Sequence, residues 1–291
     1  MNKNPETTIV ITNYNYEKYI YAAFLSAYKQ NYDGILNIVI VNDGSTDDSA
    51  AMIETQIFGC CRSISDDKVE YKRSILNQDF YKGPIEIQQG VYEEDCGPRD
   101  VILININNSG ASVARNVGIT YALRKFRKTK VIGILDADDE YYPNKVQRLC
   151  DKLVEHKHIG LAYSDYYIEK TFDDKSYTKY EYKKPYSMLQ LQRECIISSG
   201  SLIKVEYLKQ IANGNVYYDP NLHGPGSEDF IGCTEDYNLW LELSRVCIMV
   251  HVAEPLSIAR EHGENASHKM TNEIFQKNAQ IMSKNLNKKR S

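Results

Sequence analysis

The chain has 291 residues, a formal net charge of −4 and 42% hydrophobic residues, the profile of a soluble globular protein with one large α/β domain or two small ones. The mild acidity argues against a nucleic-acid binder, and no run of about 18 apolar residues is present to form a transmembrane helix. Seven cysteines, odd in number and scattered without zinc-ligand spacing, predict free thiols in a reducing compartment and therefore a cytoplasmic protein.

In chain order, Thr8-Ile9-Val10-Ile11 reads as a first buried strand, with no signal-peptide core before it. Residues 17–30 place Ile20, Phe24, Ala27 and Tyr28 at helical spacing. Ile38-Val39-Ile40-Val41 is a second strand. Ser45-Thr46-Asp47-Asp48 then offers caps and first-turn acids for a helix reaching residue 57. Residues 58–100 interrupt the pattern with a polar, Tyr-rich stretch punctuated by Lys82-Gly83-Pro84 and Cys96-Gly97-Pro98. Residues 84–92 within it suit a hairpin. Val101-Ile102-Leu103-Ile104 is a third strand, 111–127 a third helix and 131–135 a fourth strand. Apolar strands alternating with helices predict a mostly parallel sheet covered on both faces.

The second half is less regular. Residues 160–168 read as a strand, 177–183 as an exposed strand and 202–211 as the start of a helix. Residues 233–244 form a helix with Leu239, Trp240 and Leu243 as an apolar stripe, and 271–289 a terminal helix. Its basic end, Lys288-Lys289-Arg290, is either a frayed tail or a contact for the inner face of an anionic membrane.

Asp136, Asp138 and Asp139 follow the fourth strand directly. Three carboxylates in four positions repel one another unless a positive group sits between them. Mg²⁺ and Mn²⁺ take hard oxygen ligands together with substrate phosphates, so a divalent cation holding a phosphorylated ligand is one reading and a solvated acidic turn the other. A calcium loop is excluded, because Tyr141 stands where it needs Gly and Gln147 where it needs Glu. In parallel sheets the ligand lies outside the carboxyl ends of the strands. Thr12-Asn13-Tyr14-Asn15, Asn42-Asp43-Gly44-Ser45 and Asp136-Ala137-Asp138-Asp139 all fall there.

These segments, with Gly110 to Asn116, Thr234 to Leu241 and Arg260 to Ser267, occur in an order that resembles the family 2 glycosyltransferases over about residues 7–270. That family comprises inverting enzymes of GT-A fold that use nucleotide-diphospho sugars. The resemblance implies a Rossmann-like, mostly parallel sheet with helices on both faces and a smaller mixed acceptor-side region. It divides the chain into a nucleotide-sugar half at 1–140 with the insertion 58–100, an acceptor and catalytic half at 141–270, and a helix and tail at 271–291.

By the same resemblance, Thr12 and Tyr14 flank the nucleobase and Asp43 accepts a base N–H, with uracil favoured. Arg115 meets the base or the diphosphate, and Asp136 the ribose hydroxyls. Asp138 ligates Mn²⁺ or Mg²⁺, with Asp139 and His262 as further metal candidates. Asp236 is the general base and Glu235 orients the acceptor, a hydroxyl on a glycan, lipid-linked sugar or protein. Glu228-Asp229 is a second Glu-Asp pair, but the residues after it do not continue the family pattern. Helix caps, first-turn acids and a surface salt bridge are the alternative readings of these residues. The sequons at Asn107 and Asn265 carry no meaning in a reducing compartment. A sugar-phosphate nucleotidyltransferase is the competing function, but residues 12–17 lack the Gly-rich, basic loop a triphosphate needs. A decayed carbohydrate- or nucleotide-binding module is the third reading.

Overall fold

The computed structural model describes residues 4–65, 81, 83–172, 175–220, 235–263 and 265. The first half contains β1 (Thr7–Asn13), α1 (Ile20–Tyr28), β2 (Leu36–Asp43), α2 (Ser49–Met52), β3 (Cys61–Ser65), β4 (Ile85–Glu94), β5 (Gly97–Ile106), α3 (Ala111–Lys125), β6 (Val131–Asp136) and β7 (Glu140–Tyr141). The second contains α4 (Lys145–Glu155), β8 (Ile159–Phe172), β9 (Lys175–Glu181), α5 (Met188–Leu191), β10 (Leu202–Lys204), α6 (Val205–Ile211), α7 (Glu235–Leu243) and β11 (Ile248–Glu261).

One sheet runs through both halves in the order β3-β4-β5-β2-β1-β6-β10-β8-β11-β7, with β9 paired onto β8. Its centre, β5-β2-β1-β6, is parallel. Every residue of β1 and β2 is buried, as expected of strands with a helix layer on each side. Strand alternation sorts the core. Val10, Val39, Val41 and Ile104 pack with Val117 of α3 and Trp240 of α7, while Ile9, Ile11, Ile38 and Ile40 pack with Phe24 of α1 and Leu149 of α4. Among the described residues no helix is long and apolar enough to cross a membrane.

Several elements differ from expectation. The helix after β2 begins at Ser49 rather than at Ser45, and continues as a π turn over Ile53–Ile57. Ser45 does not cap it; its hydroxyl donates to Asn42 Oδ1 at 2.6 Å instead. The hairpin expected over residues 84–92 is present but longer, with β4 antiparallel to β5 from Ile85↔Ile106 to Glu94↔Gly97, so the strand expected at 101–104 begins at Gly97. Residues 202–211 open with strand β10, wedged antiparallel between β6 and β8, before α6 starts. The 271–289 helix and the Glu228-Asp229 pair lie outside the described residues.

Candidate functional site

The strand ends form the site. Asn13, Asn42 and Asn105 stand in register on β1, β2 and β5. Their amides form a ladder, Asn13 Nδ2 donating to Asn42 Oδ1 at 3.2 Å and Asn42 Nδ2 to Asn105 Oδ1 at 3.1 Å. Asn15 has φ 57°, a left-handed value that Asn tolerates, and its Oδ1 accepts from Thr46 N at 2.7 Å. The loops after β1 and β2 are thereby tied together. Thr12 lies opposite Asp136 in the register, and its hydroxyl donates to Asp136 Oδ1 at 3.3 Å. Tyr14, at the loop tip, is 43% exposed.

Asp43 is buried and accepts the backbone N–H groups of Ser109 at 2.8 Å and Gly110 at 2.9 Å. It therefore holds the loop between β5 and α3. Burial pushes its pKa up to about 6, against the pull of those two N–H groups. Each oxygen retains a lone pair for a further donor. Gly44 makes the approach of these loops feasible, since its φ is 66° and a Cβ would collide with the Asn108 backbone nitrogen. Gly44→Ala is expected to cost about 2 kcal/mol of stability and to weaken nucleotide binding. Urea unfolding and nucleotide titration read both effects.

Arg115 of α3 is buried, not a surface residue. Its guanidinium donates to Asp136 Oδ1 at 2.8 Å and Glu235 Oε1 at 2.6 Å, and lies 3.7 Å from Asp236 Oδ1. The Tyr218 ring lies 5.2 Å beneath it. Burial works against its charge, but the three carboxylates prevail and hold its pKa well above the usual value. Asp236 and Glu235 occupy the first turn of α7, where the helix dipole favours acids. Burial pushes Asp236 up to about 7, with Glu235 and Asp136 adding to it and Arg115 and Tyr218 opposing it. The expected nucleotide and base residues thus share one ion cluster.

Asp138 and Asp139 meet the C-terminal segment. Asp138 Oδ2 accepts from Asn265 Nδ2 at 3.1 Å and lies 3.3 Å from His262 Nε2. Asp139 Oδ1 accepts from Arg260 N at 3.1 Å. Burial, then Asp138 and Asp136, hold the Asp139 carboxyl well above its ordinary value. His262 stacks on Tyr19 with centroids 5.0 Å apart and meets the edge of Tyr16 at 5.5 Å. Asn265, dismissed as a sequon, is therefore a partner of the acidic turn. Its signal was its place inside the Arg260 to Ser267 motif. Lys145 also escaped the sequence reading. It is wholly buried, donating to Ser257 Oγ at 3.0 Å and Ser164 Oγ at 3.4 Å. Burial pushes it down to about 7, with Asp139 pulling the other way. Among the described residues, no group of three or more His, Cys, Asp or Glu side chains stands ready to hold a metal by itself.

A sheet of this topology with helices on its faces is the architecture of GT-A glycosyltransferases. S. aureus TarS 1–349 in complex with UDP-GlcNAc superposes with a TM-score of 0.57 at 14% identity, over 95% of this chain and 66% of that one. The mannosyltransferase PcManGT from Pyrobaculum calidifontis, in complex with GDP-Man and Mn²⁺, gives 0.53 at 13% identity, over 90% and 59%. At these identities the likeness is one of fold. The sequence matches glycosyl transferase family 2 over residues 8–83 and 85–212, and the chain belongs to that family. An uncharacterized glycosyltransferase of Rickettsia felis is 27% identical over 281 residues, which is 92% of this chain but 36% of that protein. The Escherichia coli UDP-Glc:alpha-D-GlcNAc-diphosphoundecaprenol beta-1,3-glucosyltransferase WfaP is 28% identical over 165 residues, 57% of this chain and 47% of that one.

Proposed function

We propose that this protein is an inverting glycosyltransferase that moves a sugar from a nucleotide-diphospho sugar, UDP favoured, to an acceptor hydroxyl. The observation that carries the reading is the Arg115 bridge, which joins Asp136 at the nucleotide edge to Glu235 and Asp236 at the start of α7. A donor-side carboxylate and a base of raised pKa are thereby fixed in one constellation. The acceptor class is a glycan, a lipid-linked sugar or a protein. The E. coli relative, whose name specifies a sugar on diphosphoundecaprenol, supports the lipid-linked class.

The residue roles are those the family resemblance implies, and the geometry supports them. Thr12, Tyr14 and Asp43 frame the base, and Asp136, hydrogen-bonded to Thr12 and Arg115, faces the ribose hydroxyls. Asp236 takes the proton of the acceptor hydroxyl as that oxygen attacks the anomeric carbon. The C–O bond to the diphosphate breaks on the opposite side, so the anomeric centre inverts. A base with pKa near 7 suits this role, being about half deprotonated at neutral pH while still basic. Glu235, anchored by Arg115, orients the acceptor.

The acidic turn fits a divalent cation. Asp138 Oδ2 and His262 Nε2 converge, and Asp139, buried beside Asp138 and Asp136 with Arg260 as its positive neighbour, adds a carboxylate. Hard cations commonly take one or two carboxylates and complete their shell with substrate phosphates. Asp138, with Asp139 and His262, would hold Mn²⁺ or Mg²⁺, which when bound neutralises charge on the departing diphosphate.

Incubation with a panel of nucleotide sugars and Mn²⁺ or Mg²⁺ tests the reading: donor turnover is expected. Release of pyrophosphate from a nucleoside triphosphate and a sugar phosphate would instead establish a nucleotidyltransferase. Asp138→Ala is expected to abolish the metal-dependent part of the turnover. Full metal-dependent activity in that variant would remove Asp138 from the metal site.

A further inference from the structure

The insertion 58–100 reaches the base end of the site. β4 pairs with β5 up to Ile85↔Ile106, and Ile106 is itself level with Asp43 on β2. Tyr81, Gly83 and Pro84, just before β4, therefore lie toward the same end of the sheet as Asp43. Tyr81 is fixed there at two points. Its hydroxyl accepts from Asn107 N at 3.0 Å and donates to Pro84 O at 2.7 Å. Asn107 begins the loop that Asp43 holds through Ser109 and Gly110.

The turn is closed on the ring. A Cβ at Gly83 would meet the Tyr81 hydroxyl and Cζ, so the chain lies close against the ring there. Part of the ring packs against the core cluster that holds Ile85 and Ile106. Burial pushes the Tyr81 hydroxyl pKa up, with the Asn107 N–H opposing it and the charge of Asp43 adding to it. Tyr81 and Asp43 are thus linked through the one loop that carries Asn107, Ser109 and Gly110. An aromatic ring there is a stacking or bounding surface for a planar base.

We propose that Tyr81 is a specificity-determining residue of the donor site, its ring bounding the Asp43 subsite on the β5 side and restricting it to a single-ring base, a pyrimidine. The proposal rests on the donor-site reading above. Tyr81 thereby joins the nucleotide pocket and sets the size of the base accepted.

Calorimetric titration of UDP and GDP into wild type, Tyr81→Phe, Tyr81→Ala and Asp43→Ala tests it. Wild type is expected to prefer UDP. Tyr81→Ala is expected to lower the UDP-to-GDP affinity ratio by about tenfold. Tyr81→Phe keeps the ring and is expected to keep the ratio. Should Tyr81→Ala fail to fold, Tyr81→Leu is read in its place. Wild type that binds GDP as well as UDP overturns the proposal. So does a ratio unchanged in Tyr81→Ala, or one that falls equally in Tyr81→Phe, which would make the hydroxyl tether the whole role. In those cases UDP binding that Asp43→Ala weakens leaves the donor site standing. Wild type that binds neither nucleotide brings down both.

Discussion

Asp236→Asn is expected to lower kcat by about 10²- to 10⁴-fold, the usual contribution of a positioned general base. Nucleotide affinity should change little, because Asp236 lies 3.7 Å from Arg115 while the closer bonds of that residue go to Asp136 and Glu235. The amide is nearly isosteric and cannot take the proton. The pH profile gives a second readout. Only the deprotonated carboxylate is competent, so kcat/KM should fall tenfold per pH unit as pH drops below about 7. This limb should vanish in Asp236→Asn. Asp229→Asn serves as the control, since Glu228-Asp229 offers the same dipeptide seven residues upstream. An active Asp236→Asn beside a dead Asp229→Asn would move the base to Asp229.

Arg115→Met is expected to cost about 3 kcal/mol of stability, at the lower end of the range for breaking a buried ion pair. The side chain leaves behind Asp136, Glu235 and Asp236, whose side chains are 28%, 12% and 21% exposed. Water reaches these carboxylates in part, which places the cost at that lower end. The sign of the accompanying pKa change is fixed. Arg115 opposes the rise at Asp236, so its removal pushes that carboxyl higher and moves the activity limb to more alkaline pH. Denaturant unfolding and a pH–rate profile on the same variant read both effects. A loss below about 1 kcal/mol would show the cluster to be as weakly coupled as a surface pair.

The parallel centre of the sheet was legible because continuous apolar strands and amphipathic helices alternate there. The adjacency of Thr12 and Asp136 followed from it, since both end strands that pair directly. What escaped depended on long-range contacts. β10 is only three residues long and exists because β6 and β8 flank it. β11 contains Pro255, and the ladder to β8 shifts register around it, so no continuous alternation marks the strand in the sequence. α4 was within reach, for Val146, Leu149, Cys150 and Leu153 keep the helical period. In the site, the family pattern brought Arg115, Asp136 and Asp236 to notice separately. The ion pairs of Arg115 with Asp136 and Glu235 span 21 and 120 residues of chain and are a property of the fold. Asn265 and Lys145 escaped for opposite reasons. Asn265 matched a surface motif yet is buried on Asp138, and Lys145, which no motif marks, is enclosed.

The central claim, that the strand edge from Thr12 to Asp138 binds a nucleoside diphosphate, is tested most directly by thermal unfolding with UDP, with and without Mn²⁺. Ligand at a hundredfold excess over its Kd contributes about 2.7 kcal/mol, a rise in Tm of about 5–10 °C. The account predicts a rise of that size with UDP and Mn²⁺ together and a smaller one with UDP alone. An unchanged Tm with UDP, dTDP and GDP alike, whether or not Mn²⁺ is present, would contradict it.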